Sequence, residues 1–135
     1  MPELPGDMIS QAVRILVADD NATVSALVTD VLRAEGYDVD VARTGIAAWA
    51  KLTSTRYDVV LCDIVLPELD GLSLYRRLRE CQAEGRPRVV LVSGYEQQEV
   101  ERILGETGVA FLGKPFRVED LIAVIREALA PLSQL

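Results

Sequence analysis

Five side chains in this 135-residue chain stand where short apolar runs stop. Asp19 and Asp20 follow "RILVA", Asp63 follows "DVVLC", Ser93 closes "RVVLVS", and Lys114 lies just beyond "VAFL". Carboxylates brought together repel one another, and without compensation at least one has its pKa raised. A hard divalent cation resolves that conflict. Mg²⁺ takes oxygen ligands in an octahedron, often one or two carboxylates with waters and a phosphate oxygen. A carboxylate beside Mg²⁺, with an ammonium opposite, suits phosphoryl transfer onto aspartate.

The chain contains no histidine. That removes the commonest general base and metal ligand, and with it most hydrolase triads and zinc sites. Chemistry here must run on carboxylates, hydroxyls, lysine or a bound ion. "GVAFLGKPF" (108–116) offers a competing reading, because Gly108, Gly113 and Lys114 have the spacing of a nucleotide-binding P-loop. The four residues between the glycines are apolar and read as a strand, whereas a P-loop needs a bare turn of backbone N–H groups. Pro115 then supplies neither hydroxyl nor N–H. The P-loop is rejected.

Elements must bring the five side chains together. The apolar runs at 14–18, 37–42, 58–62, 88–93 and 109–112 are mostly continuous and β-branched, as parallel strands buried on both faces require. In the second run Asp38 and Asp40 alternate with Val39 and Val41, which suits an edge strand with one wet side. Helical periods fill the gaps at 21–35, 44–53, 72–81, 96–105 and 118–129. The fourth is the sparsest, with only Val100, Ile103 and Leu104 apolar. Alternation of this kind predicts an α/β fold, a (βα)₅ parallel sheet with right-handed crossovers; the expected arrangement is flavodoxin-like, of order 2-1-3-4-5 with helices on both faces. Ligands in such sheets bind beyond the carboxyl ends of the strands. All five polar side chains fall on that rim.

Length fits one domain with a sizeable core. Residues 1–12 read as a loose tail, 13–130 as the domain and 131–135 as a C-terminal tail. No run approaches the roughly 20 apolar residues of a membrane span, and no signal-peptide layout opens the chain. Cys62 and Cys81 form no framework and suit a reducing cytoplasm. The formal charge of −7 argues against direct contact with nucleic acid.

"VADDN", "VVLCDIVLPELDG", "LVSG" and "FLGKPF" stand at four strand ends, in the order and spacing of a family. Over roughly 13–130 the chain resembles the receiver domains of bacterial two-component response regulators, including the chemotaxis regulators. The resemblance implies a phosphorylation-activated switch that catalyses its own modification without turning over a free substrate. By position, Asp63 is the phosphoacceptor. Asp19, Asp20, Asp63 and the backbone carbonyl of Val65 hold Mg²⁺. Lys114, aimed by a cis bond to Pro115, pairs with the phosphoryl group, and Ser93 closes onto it. Phe111 is the aromatic switch residue, lacking the hydroxyl of the Tyr often found there. Val65 and Tyr95 flank the attacking water's path and tune signal lifetime; no organic cofactor is implied. The donor is a sensor histidine kinase or a His-containing phosphotransfer protein. A downstream effector reads the surface of the fourth helix, fifth strand and fifth helix, and phosphorylation-dependent dimerisation stays open.

Plainer roles suit other residues. Asp58, at a strand's start, reads as structural, Asp70-Gly71 as a turn and helix start, and Cys62 as core. Arg76, Arg77, Arg79, Arg86 and Arg88 read as a solvated face. Three alternatives stand beside the lone switch. One is a receiver belonging to a hybrid kinase or multidomain regulator, and another is a docking domain that is never phosphorylated. The third, a haloacid-dehalogenase-like phosphatase, would need Asp-x-Asp after its first strand, where this chain has adjacent acids.

Overall fold

A computed structural model describes residues 12–81 and 87–130. Most of the first tail, all of the second and Arg86 lie outside the described residues. The elements alternate strictly: β1 (Arg14–Ala18), α1 (Ala22–Ala34), β2 (Asp38–Ala42), α2 (Gly45–Ser54), β3 (Val59–Asp63), α3 (Gly71–Cys81), β4 (Arg88–Ser93), α4 (Gln97–Leu104), β5 (Phe111–Gly113) and α5 (Val118–Leu129). All pairings are parallel and the order is β2-β1-β3-β4-β5, the flavodoxin-like order expected above.

Alternation along each strand sends neighbouring side chains to opposite faces. Leu16, Val60, Cys62 and Leu91 face α2, α3 and α4, where they meet Ala48, Leu74, Leu78 and Val100. Ile15, Val17, Val59, Leu61 and Val90 face α1 and α5, packing on Val28, Leu32, Leu121 and Ile125. Every residue of β3 is buried, as a central strand requires. β2 is an edge, and the hydroxyl of buried Tyr57 reaches it by donating to Asp40 Oδ2 at 2.7 Å.

β5 begins at Phe111, two residues later than the apolar run suggests. Glu101 is the reason. Its Oε2 accepts the N–H groups of Gly108 (2.7 Å) and Val109 (3.2 Å), drawing that stretch towards α4 instead of the sheet ladder.

The arginine run is not an idle solvated face. Arg79 donates to Glu106 Oε1 (2.6 Å) and to the hydroxyl of Tyr75 (2.7 Å), while Tyr75 donates to the same carboxylate at 2.8 Å. Arg76 donates to the carbonyl of Ile103, Arg77 lies over the ring of Trp49, and Arg88 donates to the carbonyl of Ala128. Guanidinium groups keep their heads at the surface while tying one element to the next. For α4 these ties matter, because Val100 is its one buried residue.

Two glycines hold the loop between β3 and α3 in place. A Cβ at Gly45 would overlap the backbone carbonyl of Leu69, and one at Gly71 would fall 2.2 Å from the carbonyl oxygen of Asp63. Asp70 starts α3 beside them, accepting the backbone N–H and hydroxyl of Ser73 at 3.0 Å each, which holds its carboxyl below the ordinary value. Gly71→Ala should therefore cost about 2 kcal/mol or more in urea unfolding. Gly94→Ala, with open space around it, should change stability by no more than about 0.5 kcal/mol. Equal stability of the two variants would show that the loop relaxes freely.

Candidate functional site

The carboxyl ends of β1, β3, β4 and β5 form one rim, and the five polar side chains meet on it. The carboxylates of Asp19, Asp20 and Asp63 offer ligand atoms all within 4.8 Å of one another. Asp19 and Asp63 are buried, whereas Asp20 is exposed. Hence the cluster has a dry floor and one wet edge.

Each buried acid is held from two sides. Asp19 Oδ1 accepts the N–H of Asn21 at 2.8 Å, while Asn21 itself caps α1 by accepting the N–H of Val24. Asp63 Oδ1 accepts the N–H of Val65 at 2.9 Å. The remaining oxygens face Lys114, whose Nζ lies 2.6 Å from Asp63 Oδ2 and 3.3 Å from Asp19 Oδ2. Partial burial works against the Lys114 charge. The hydrogen bond and attraction to Asp63, followed by those to Asp19, outweigh it and leave the ammonium above its ordinary value. The associated stabilisation is complete below that ordinary value and is lost as pH rises through the folded one.

The backbone sets the aim of Lys114. Its N–H donates to the carbonyl of Ser93 at 2.8 Å, and the Lys114–Pro115 bond is cis, as the resemblance leads one to expect. Ser93 is buried on the adjacent strand, its hydroxyl oxygen accepting the N–H of Tyr95 at 2.8 Å. Val65 and Tyr95, two residues beyond Asp63 and Ser93, are 64% and 61% exposed. Phe111 is half-buried against the cluster containing Leu91.

Residues singled out as structural behave so. Asp58, on the opposite rim, accepts the N–H of Arg14 at 2.9 Å. Cys62 is wholly buried, and burial pushes its thiol far up, away from the reactive range. Sequence reasoning passed over Asn21 and Gly45, and took Gly71 only as part of a turn and helix start. The Asn before a helical period was a legible cap signal. Nothing in the sequence marks what the two glycines touch.

A parallel α/β sheet carrying three acids and a lysine on its rim is a class of site shared by many proteins. Comparison narrows it: the response regulator receiver domain matches residues 15–126, and the chain belongs to that family. It is 37% identical over 125 residues to the transcriptional regulatory protein TrcR of Mycobacterium tuberculosis, covering 91% of this chain and 48% of that protein. The DNA-binding response regulator MtrA of Mycobacterium leprae is 37% identical over 118 residues, covering 86% and 51%. The chain thus spans about half the length of the curated relatives it matches.

Among solved structures, a putative response regulator from Chloroflexus aurantiacus superposes with a TM-score of 0.81 at 27% identity, covering 90% of this chain and all of that one. The receiver domain of a sensor histidine kinase from Pseudomonas aeruginosa gives 0.75 at 29%, covering 86% and 96%. That structure has a magnesium ion coordinated in its active-site cleft.

Lys114 and Asp63 should behave as one electrostatic unit. Removing the cation leaves two buried carboxylates without their counter-charge, so Lys114→Met in EDTA should cost about 2 kcal/mol or more in urea unfolding. A double-mutant cycle with Asp63→Asn should return a coupling of about 1 kcal/mol or more. Additive losses would mean that the two groups do not interact in solution.

Proposed function

We propose that this receiver domain accepts a phosphoryl group on Asp63. The observation that carries the reading is Lys114 Nζ at 2.6 Å from Asp63 Oδ2, with the Asp19 and Asp20 carboxylates alongside. A carboxylate oxygen of Asp63 attacks phosphorus, a P–O bond forms, the P–N bond of a phosphohistidine breaks, and the imidazole departs. Lys114 stays at hand to neutralise the phosphoryl oxygens, and Ser93, released from the Tyr95 N–H, donates to one of them.

Three carboxylates within 4.8 Å make an all-oxygen donor set of the kind Mg²⁺ selects. Asp19, Asp20, Asp63 and the Val65 carbonyl would hold the ion, which supplies charge neutralisation for the transferred group when bound. The chain has no histidine, so the donor is another protein or domain: a sensor histidine kinase or a His-containing phosphotransfer protein. The chain is a switch and turns over no free substrate.

Movement of Ser93 makes room for Phe111 to turn inward. The sparsely buried α4 shifts with it, and an effector reads the α4–β5–α5 surface. The described helices include none long and apolar enough to cross a membrane, and the reading places the chain in the cytoplasm. At a charge of −7 it makes no direct contact with nucleic acid, whatever domains accompany it. The chemistry is the same for a lone regulator and for the receiver of a hybrid kinase or multidomain regulator.

Intact mass after incubation with acetyl phosphate and Mg²⁺ tests the reading. One phosphoryl adduct is expected on the wild type, and none on Asp63→Asn or in EDTA; an adduct surviving Asp63→Asn would place the acceptor elsewhere. In the phosphorylated protein, amide shifts should spread through α4, β5 and α5. Shifts confined to α2 and α3 would refute the effector surface.

The exposed Val65 and Tyr95 should also govern decay. An apolar Val65 cannot orient water, and Tyr95 shields the acyl phosphate. The Val65→Asn, Tyr95→Glu double variant should therefore lose its phosphoryl group several-fold faster than wild type by about 1 kcal/mol of barrier. An unchanged half-life would remove both residues from the account.

A further inference from the structure

Six large apolar side chains are exposed among the described residues, and three of them, Val65, Tyr95 and Ile103, line one groove of about 440 Å³. The groove runs between the start of α3 and the outer side of α4, floored by Ile64, Leu72 and Val100. Its lining includes no residue of β5 or α5, so it shares only α4 with the effector surface proposed above. Concentration of exposed apolar area in one place marks an interaction surface more often than scattered single residues do.

Its rim is acidic. Asp70 and Glu99 line the groove, and Glu68 and Glu96, two and three residues before them in sequence, are exposed. Arg102 is the one cation lining it; nearby, Arg79 is paired with Glu106, while Arg76 is bonded to the neutral Ile103 carbonyl and keeps its charge. A second copy of this chain is a poor occupant, because it would bring a like-charged rim and a further formal charge of −7 against the first. The complementary partner has the opposite balance. We infer that the α3–α4 groove docks a basic amphipathic helix from another protein, its apolar stripe on Val65, Leu72, Tyr95 and Ile103 and its Lys or Arg residues against Asp70 and Glu99.

The site also places that partner beside the rim. The N–H of Val65 is bonded to Asp63 Oδ1 and the N–H of Tyr95 to Ser93 Oγ, so the groove's two most exposed apolar side chains sit on the residues that hold the acid and the hydroxyl.

The test uses unphosphorylated protein, so its outcome is independent of whether Asp63 is the acceptor. A Leu/Lys amphipathic helical peptide of about 18 residues is titrated into the ¹⁵N-labelled chain, beside a Leu/Glu peptide of the same pattern. Amide shifts are expected at residues 64–72 and 95–103 with the Leu/Lys peptide. Ile103→Ser and Glu99→Lys should each weaken binding, by about tenfold for the lost anchor. Leu27→Ser and Ile46→Ser, at exposed apolar residues elsewhere, should leave it unchanged. Three results would each overturn the inference: equal binding of the two peptides, shifts centred on Leu27 or Ile46, or no shift at millimolar peptide. Concentration-dependent broadening of the same amides without peptide would overturn it too, in favour of self-association.

Discussion

An ammonium held between two buried carboxylates organises this protein. Lys114 reaches Asp63 and Asp19 only because β5, β3 and β1 end on the same rim, and their order in the sheet sets how far apart those ends lie. Burying carboxylates costs free energy unless charge and hydrogen bonds compensate. The compensation here is divided. Backbone N–H groups of Asn21 and Val65 take one oxygen of each buried acid, and Lys114 takes the other. The sheet's packing against helices on both faces keeps those ends in register, so the core and the site are parts of one constraint.

Away from the rim the sheet is anchored unevenly. α5 buries Leu121, Val124, Ile125 and Ala128, while α4 buries Val100 alone. What α4 lacks in apolar contact it regains through polar ties. Glu101 holds the loop that leads into β5, Arg76 holds the carbonyl of Ile103, and Tyr75 and Arg79 hold Glu106. Polar contacts at a surface contribute little net stability each, and they exchange readily with water. An element held in this way can move without disrupting the core. The proposed switch draws on that freedom, with α4 following Ser93 and Phe111.

The architecture and most of the rim were legible from sequence. Continuous β-branched runs announced buried parallel strands, the Asp38–Val39–Asp40–Val41 alternation announced an edge, and polar residues at strand ends announced the site. Harder to read were features set by through-space neighbours. The arginines of α3 look like a solvated face because their spacing is indifferent to partners. Their carbonyl, carboxylate and indole partners lie on other elements, far away in sequence. The late start of β5 was hidden for a similar reason, since a glutamate seven residues upstream captures the N–H of Gly108.

By itself, then, the sequence determined which groups could do chemistry and on which strand ends they would fall. Both follow from local pattern, because side-chain period and turn residues act over a few positions. Tertiary structure alone decided the distances: the 2.6 Å contact of Lys114 with Asp63, the close passage of Gly71 under the Asp63 carbonyl, and the joining of Val65, Tyr95 and Ile103 into one groove. These arise where segments remote in sequence pack together. A glycine with nothing beside it and one pressed against a carbonyl are the same letter in a sequence, and only the packed backbone distinguishes them.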